Sequence, residues 1–327
     1  MVQGGPVVQI GIILITVLGL WVGARLLVDA VVRLARRFGL SDLTIGLTIV
    51  ALGTSTPELV VSVDAALKGL GDIAVGNVLG SNIYNLAFIL GIISLLKVIP
   101  IAESLVHRDG VALLISTLVG GVAVADLRVT WLEGVVLAGG SIMYSVYLLA
   151  ANRSESTTAA SQPDAVGVIR AEPNRVTFHG RDTLLLVGGL ALILLSGDYM
   201  VLAASELARN AGISEWVIGG TIVAAGTSTP EFAVSLVAIQ RGSLGVSVGN
   251  VIGSNIYNIT GILGLAAVFR PLAVNGPALE TLAWLAGVTV LMVAALWTGR
   301  QLSRAEGTLF AGSEIGRWIL GIMGFVG

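Results

Sequence analysis

The chain lacks cysteine, has only two histidines, and carries few charged residues: Asp, Glu, Lys and Arg make up 12% of its 327 residues. Without cysteine there is no disulfide, thiolate metal site or thiol nucleophile. A soluble domain usually carries about 25% charged residues, which cover its surface. The net charge of -2 offers no basic surface, and the aromatic content of 6% no stacking platform, for nucleic acid. The sequence therefore argues against a soluble fold and against a nucleic-acid partner.

Apolar residues are abundant instead, at 55% of the chain, and the mean hydropathy is +0.93. A hydrocarbon core of about 30 Å is crossed by roughly 20 apolar residues in a helix. On this scale the sequence predicts an all-α membrane protein, whose main partner is the lipid bilayer. Ten spans are expected, at residues 8–31, 42–67, 72–96, 109–125, 131–150, 182–204, 215–240, 245–268, 278–298 and 305–325.

The spans fall into two groups of five, in residues 1–151 and 181–327. Residues 152–180 between them are rich in Ser, Thr, Pro and charge, which is typical of a mobile linker. Lys and Arg concentrate in the connections after the odd-numbered spans, and positive residues are retained on the cytoplasmic side. We therefore expect a multi-pass protein of the plasma membrane, with both termini outside and the linker in the cytoplasm. The opposite side holds only Lys68, Arg128, Arg209 and Arg270.

Two motifs occur twice at one offset. Gly53 to Glu58 reads GTSTPE and so does Gly226 to Glu231, 173 positions later. At the same offset, NVLGSNIYN from Asn77 is followed by NVIGSNIYN from Asn250. Because each half has an odd number of spans, the second copy crosses the membrane in the opposite sense. The sequence thus predicts two inverted-topology five-helix repeats, a pattern typical of transporters.

The simplest alternative is a duplicated bundle in which Gly and Ser serve only as small residues at helix contacts. That accounts for Gly80, Ser81, Gly253 and Ser254. It does not account for a carboxylate at membrane depth in each copy, because a central acid costs about 2.5 to 3.5 kcal/mol on insertion scales. The paired acids therefore favour a functional site.

The GTSTPE motif breaks its helix, since Pro57 or Pro230 removes a backbone N–H and clashes with an earlier carbonyl. Carbonyls freed in this way need a cavity, a neighbour or an ion within the bilayer. Hydroxyl and carboxylate oxygens follow them, and all-oxygen sites suit hard cations such as calcium. The two histidines lie in connections, which disfavours a transition metal. The candidate ligands in these segments are Ala51, Thr54, Ser55 and Glu58 with Ala224, Thr227, Ser228 and Glu231.

The second motif adds side chains spaced four apart on one helical face. These are Ser81 and Asn85 in the first half and Ser254 and Asn258 in the second. Four further amides are better interpreted as interhelical hydrogen-bond donors than as ligands. They are Asn77, Asn82, Asn250 and Asn255.

At these motifs the chain resembles the cation/calcium exchanger superfamily, and most closely its prokaryotic sodium/calcium exchangers. The resemblance rests on GTSTPELVVSVDAALKG with GDIAVGNVLGSNIYN, and on GTSTPEFAVSLVAIQRG with LGVSVGNVIGSNIYN. It implies four central cation sites where spans 2, 3, 7 and 8 meet, with spans 1 and 6 sliding as a gate. It places the ligands at the twelve positions named above, with Ala51 and Ala224 acting through backbone carbonyls. Some members carry Asp where Asn85 or Asn258 stands here, so this site has two acids only.

The resulting hypothesis is a sodium/calcium antiporter, with calcium and sodium as transported substrates and with neither a cofactor nor an obligatory protein partner. A proton-coupled or other cation antiporter is the first alternative. A passive channel is a more remote one, because a pore needs no closed ligand cage. An intramembrane enzyme would need a Ser–His pair, paired Asp residues or a metal-held water, which the sequence lacks, so no catalytic residue is expected. For Glu314 and Arg317 in the last span, a helical ion pair and a shifted helix boundary stay equally open.

Overall fold

The computed structural model describes residues 5–38, 40–100, 105–160, 180–210, 224–299 and 301–322, and this part of the chain is predominantly helical. We number the helices in chain order. They are α1 Pro6–Phe38, α2 Asp42–Thr54, α3 Thr56–Lys68, α4 Gly71–Leu96, α5 Leu105–Val124, α6 Trp131–Ala160, α7 Gly180–Asn210, α8 Ala224–Thr227, α9 Thr229–Gln240, α10 Leu244–Phe269, α11 Pro277–Gly299 and α12 Arg304–Ile322.

Seven of these helices are long and apolar enough to cross a membrane, namely α1, α4, α5, α6, α7, α10 and α11. The bent pair of α2 and α3 supplies an eighth such segment. The prediction of a helical, multi-pass membrane protein is therefore confirmed. Helices overlap each of the ten expected spans, although residues 215–223 of the seventh lie outside the described residues. Several helices exceed their expected bounds, and α6 continues to Ala160 with its last nine residues inside the predicted linker.

The predicted break at the first GTSTPE motif is present. The helix axis turns by 47° between α2 and α3, and Ser55 lies at the break. Pro57 occupies the first turn of α3, where a missing N–H does not disturb the helix ladder. In the second half, Ser228 separates α8 from α9 in the same way, with Pro230 in the first turn of α9. Both copies of the motif therefore start a new helix inside an apolar segment.

Turns of wider, π-helical geometry interrupt several helices. They include Gly46–Val50 in α2, Tyr84–Ile89 in α4 and Asn258–Leu263 in α10. Such turns shift the backbone hydrogen bonds by one residue and occur frequently at functional sites. Those in α4 and α10 begin at or next to Asn85 and Asn258, the amides expected at the site.

Four two-residue strands pair the halves: β1 Ile99–Pro100, β2 Arg128–Val129, β3 Leu272–Ala273 and β4 Gln301–Leu302. β1 pairs antiparallel with β4, and β2 with β3. The 173-residue offset relates β1 to β3 and β2 to β4. The pair of β1 with β4 is therefore the repeat equivalent of the pair of β3 with β2. The two pairs keep the same register, with Ile99 opposite Leu302 in one and Leu272 opposite Val129 in the other.

Glycines allow α2 and α10 to approach each other. A Cβ at Gly249 would lie 2.6 Å from the Leu43 carbonyl oxygen, and one at Gly253 would lie 2.6 Å from that of Leu47. Small residues four apart let helix backbones come close in membranes. The contact brings the first broken helix against the second NVIGSNIYN segment, next to Ala51.

Helix α1 packs along α7, again through glycine: a Cβ at Gly23 would lie 2.9 Å from the Gly189 carbonyl oxygen. Arg33 of α1 donates to Asp182 of α7 at 2.7 Å. The inner face of α1 also packs against α9 in a hydrophobic cluster that includes Val28 and Val234. The α1–α7 pair therefore lies against one end of the second broken helix.

Candidate functional site

Glu58 and Glu231 lie in the first turns of α3 and α9, and both side chains are fully buried. Each position is the third residue of a helix whose first N–H groups have no intrahelical partner, where the helix dipole favours a negative charge. The broken helices therefore hold two carboxylates inside the protein, one from each half.

Serine hydroxyls of both halves bind these carboxylates. Ser228 donates to Glu58 Oε1 at 3.0 Å, and Ser81 lies 3.5 Å from the same oxygen. Ser55 donates to Glu231 Oε1 at 2.8 Å, and Ser254 lies 3.3 Å from it. Because Ser55 and Ser228 each bind the acid of the other half, the two broken helices meet at one centre.

The second carboxylate oxygen of each acid differs from the first in its hydrogen bonding. Within the described part of the chain, Glu58 Oε2 and Glu231 Oε2 are buried and have no hydrogen-bond partner. A buried carboxylate oxygen without a partner is costly, since the group has lost its hydration. Two such oxygens at one centre, beside several hydroxyls, form an arrangement that a cation would stabilise.

Among the described residues, the predicted amide ligands form no hydrogen bond with the acids. Asn85 and Asn258 are fully buried. Neither amide atom of Asn85 has a hydrogen-bond partner among the described residues, and the same holds for Asn258 Oδ1. Asn258 Nδ2 donates to Asn82 Oδ1 at 3.0 Å. The amide oxygens of Asn85 and Asn258 thus accept no hydrogen bond from the described residues, and each could serve as a ligand for a cation.

The backbone and threonine candidates have hydrogen bonds of their own. The Ala51 carbonyl accepts from the Ser55 amide at 3.0 Å, and the Gly53 carbonyl accepts from the Thr56 hydroxyl at 2.8 Å. Of the three ways expected to satisfy the carbonyls near Pro57, a neighbouring group therefore accounts for these two. Thr54 donates to the Val50 carbonyl at 3.1 Å. Ala224 begins α8, and its side chain lies outside the described set.

The two halves also share supporting bonds. Asn77 Nδ2 donates to the Glu58 carbonyl at 3.2 Å and to Ser62 Oγ at 3.0 Å, and Asn250 makes the equivalent bonds to Glu231 and Ser235 at the same distances. The interpretation of Asn77 and Asn250 as interhelical donors is confirmed.

Our sequence reasoning did not single out Ser62 and Ser235, although the signal was available. They are identical residues at the 173-residue offset, each seven positions after Ser55 or Ser228, so the repeat alone aligns them. Both residues lie on the helix that carries an acid, and their hydroxyls donate to the adjacent helix, at 3.3 Å to the Ala74 and Ser247 carbonyls. They hold the helix that carries each acid against its neighbour.

The structure also decides between the two interpretations of Glu314 and Arg317, a helical ion pair and a shifted helix boundary. Both residues lie in α12, and Arg317 donates twice to the buried Glu314 carboxylate, at 2.8 and 2.6 Å. The helical ion pair is confirmed. Neighbouring Trp318 stacks on Tyr84 with ring centroids 5.7 Å apart. The ion pair is thus packed near the wide turn of α4 but is not part of the acid centre.

Chemically, the centre offers carboxylate, hydroxyl and amide oxygens, with neither thiolate nor imidazole among the named groups. Across the described residues there is no cluster of three or more His, Asp or Glu side chains. The donor set therefore fits hard cations such as calcium and sodium better than transition metals. The ligand role of the twelve candidates stays a prediction.

Comparison with known proteins gives relatives over nearly the whole chain. The profile of the sodium/calcium exchanger protein family matches residues 8–151 and 182–313. The sodium/calcium exchanger MaX1 of Methanosarcina acetivorans is 31% identical over 317 residues, covering 88% of this chain and 91% of that protein. The inner membrane protein YrbG of Escherichia coli is 34% identical over 251 residues, 75% of either protein.

Solved structures agree with the sequence relatives. A structure of the sodium-calcium exchanger NCX_Mj matches with a TM-score of 0.79 and 29% identity, covering 98% of this chain and 99% of that one. The family profile includes both broken helices and both motif pairs that meet at the buried acids. On this evidence the chain belongs to the sodium/calcium exchanger protein family, whose members are transporters and not enzymes.

Proposed function

We propose that this protein is an antiporter that exchanges sodium for calcium across the membrane, at a central site around Glu58 and Glu231. The observation that carries the proposal is the pair of fully buried carboxylates, each with one oxygen bound by serine hydroxyls and the other unpaired. The names and structures of the relatives support the choice of the two ions.

The mechanism follows from the cost of burying charge. Two bare carboxylates in a dry centre carry a desolvation penalty of several kcal/mol each, whereas a bound cation offsets it. One calcium ion, or several sodium ions, neutralises the acids, so only an occupied site crosses between the two access states. Return without an ion is unfavourable, and the fluxes of the two ions become coupled.

The proposed architecture of the protein is ten membrane spans in two inverted repeats. Mirrored contacts support it: the acids, their serine partners and their asparagine supports recur in both halves. The crossed pairing of β1 with β4 and of β2 with β3 is the pattern expected for a twofold axis between the halves. Helix α12 and the pair of α8 and α9 complete the set of ten.

Access to the site alternates by movement of α1 and α7, and the packing of the broken helices supports this. Val60 of α3 is 60% exposed, whereas its repeat equivalent, Ala233 of α9, is 9% exposed. The α1 helix covers α9 through contacts such as that of Val28 with the Val234 cluster. The face of α9 around Ala233 is therefore covered while the equivalent face of α3 is exposed, an asymmetry that supports assignment to one of two access states.

The protein acts in the plasma membrane with both termini outside and residues 152–180 in the cytoplasm; the distribution of Lys and Arg supports this orientation. It needs neither a cofactor nor an obligatory protein partner. A proton-coupled or other cation antiporter would use the same acids, and a channel would need no occlusion.

Calcium uptake into proteoliposomes separates these possibilities. We expect vesicles loaded with sodium to accumulate calcium-45 when diluted into sodium-free medium, and vesicles loaded with potassium to accumulate about tenfold less. Uptake driven equally well by a proton gradient in sodium-free vesicles would replace sodium by protons as the coupled ion. Uptake that needs no internal counter-ion at all would indicate a channel and contradict the proposal.

A further inference from the structure

Four buried asparagines lie where α4 and α10 meet, namely Asn82, Asn85, Asn255 and Asn258, and their hydrogen bonds differ between the two halves. Asn82 Nδ2 donates to the backbone carbonyl of Asn255 at 3.0 Å. Asn82 Oδ1 in turn accepts from Asn258 Nδ2 at 3.0 Å. The network therefore runs from the α10 backbone through Asn82 of α4 to Asn258 of α10.

The backbone carbonyl of Asn255 fixes the direction of both hydrogen bonds in this network. A carbonyl only accepts, so the atom of Asn82 that faces it is the nitrogen. That leaves the Asn82 oxygen to accept, so the atom of Asn258 that faces it is the nitrogen too. Asn258 Oδ1 is then the free end, and it has no partner among the described residues. Asn82 thus orients an unpaired amide oxygen at a candidate ligand position.

The repeat defines an equivalent network, which is not formed in this structure. The 173-residue offset exchanges Asn82 with Asn255 and Asn85 with Asn258. The equivalent bonds would join Asn255 Nδ2 to the Asn82 carbonyl and Asn85 Nδ2 to Asn255 Oδ1. Instead Asn255 Nδ2 donates to Val251 of its own helix at 2.8 Å, and neither Asn255 Oδ1 nor either amide atom of Asn85 has a partner in the described structure.

We propose that Asn82 and Asn255 are positioning residues that exchange roles between the two access states. In the state described here Asn82 holds Asn258. In the opposite state Asn255 leaves Val251, donates to the Asn82 carbonyl, and accepts from Asn85. The inference rests on the proposed function, because it requires two states related by the repeat. In each state one ligand amide is fixed with its oxygen free, while the other is unrestrained.

The exchange of roles predicts effects of opposite sign for equivalent substitutions. Asn82→Ala removes two bonds of the present state, whereas Asn255→Ala removes two bonds of the opposite state and only the bond to Val251 in the present one. We expect each substitution to change the ratio of the two states by about fivefold in opposite directions, which corresponds to about 1 kcal/mol. If these asparagines had a purely structural role, both substitutions would destabilise the fold without shifting the ratio of the two states in opposite directions.

The absence of cysteine makes the chain suited to spin labelling. Cysteines at Arg37 and Gln240, the ends of α1 and α9, report the closed end, and cysteines at Leu67 and Asn210 report the equivalent positions of α3 and α7. In calcium-saturated, reconstituted protein, pulsed electron paramagnetic resonance gives both distance distributions. Asn82→Ala should increase the population with a longer 37–240 distance and a shorter 67–210 distance. Asn255→Ala should decrease it.

Asn77→Ala and Asn250→Ala are the matched controls, because the amide nitrogens of Asn77 and Asn250 make equivalent bonds at the same distances in the two halves. Each control should leave the ratio nearly unchanged. Serine at 82 and 255 repeats the comparison if an alanine variant does not fold. Shifts of the same sign, or none, in a chain whose unlabelled form exchanges sodium for calcium would overturn the exchange of roles. Absence of exchange in that unlabelled wild type would instead overturn the proposed function.

Discussion

Glu58→Gln and Glu231→Gln should each reduce sodium-driven calcium uptake by at least about 100-fold. Glutamine keeps the size of the side chain and its hydrogen bonds to serine, but it removes one of two negative charges from a buried site. Charge interactions are strong where water is excluded, and a 100-fold loss corresponds to about 2.7 kcal/mol. Initial rates of calcium-45 uptake into sodium-loaded proteoliposomes, normalised to reconstituted protein, give the comparison.

Asp64→Asn is the matched control, because it removes a carboxylate from the same helix as Glu58. The Asp64 side chain is exposed and pairs with Lys68 at 2.6 Å. Exposed pairs contribute about 0 to 1 kcal/mol, so uptake should stay near the wild-type rate. If Asp64→Asn proved as damaging as Glu58→Gln, a general effect of charge on α3 would explain the losses better than a central site.

Gly249→Ala and Gly253→Ala should produce the next largest effects. The added Cβ would lie 2.6 Å from the Leu43 and Leu47 carbonyl oxygens respectively, so the backbones of α2 and α10 must separate. Overpacking of this kind costs about 1 to 3 kcal/mol. Because α2 ends beside Ser55, separation would also weaken the bond from Ser55 to Glu231. We expect a lower unfolding temperature and a rise of about tenfold in the calcium concentration for half-maximal uptake.

Gly139→Ala in α6 is the control for this pair, since a Cβ there meets nothing within 4 Å. Alanine is favoured over glycine inside a helix by about 0.5 to 1 kcal/mol. The control should therefore be neutral or slightly stabilising, with unchanged calcium dependence. Normal stability and transport in Gly253→Ala would show that the close approach of α2 and α10 is not required.

The sequence predicted the elements of this fold because membrane helices follow a simple rule of length and hydropathy. Pro57 and Pro230 located the two breaks, and the repeat located the acids and their hydroxyl neighbours. Helix ends were less accurate, as α6 shows: polar residues up to Ala160 continue the helix beyond the apolar stretch. Hydropathy measures where a helix contacts lipid and carries no information about where it stops in water.

The pairing of the site residues could not be predicted. Nothing in the spacing indicates that Ser55 binds Glu231 rather than Glu58, because that choice depends on how the halves pack. The wide turns at Asn85 and Asn258 were likewise invisible, since π-helical geometry arises from local packing. On our proposal, the difference between the Asn82 and Asn255 networks reflects which access state is populated. Two nearly identical sequences can only predict two identical halves.

Competition between sodium and calcium in equilibrium binding tests the central claim most directly. Isothermal titration of purified protein with calcium, at increasing fixed sodium concentrations, measures whether both ions use the acids of one site. The account predicts that sodium weakens calcium binding in the wild type and that Glu58→Gln and Glu231→Gln remove the calcium heat, while Asp64→Asn retains it. Calcium binding that ignores sodium, or that persists unchanged without either glutamate, would contradict it.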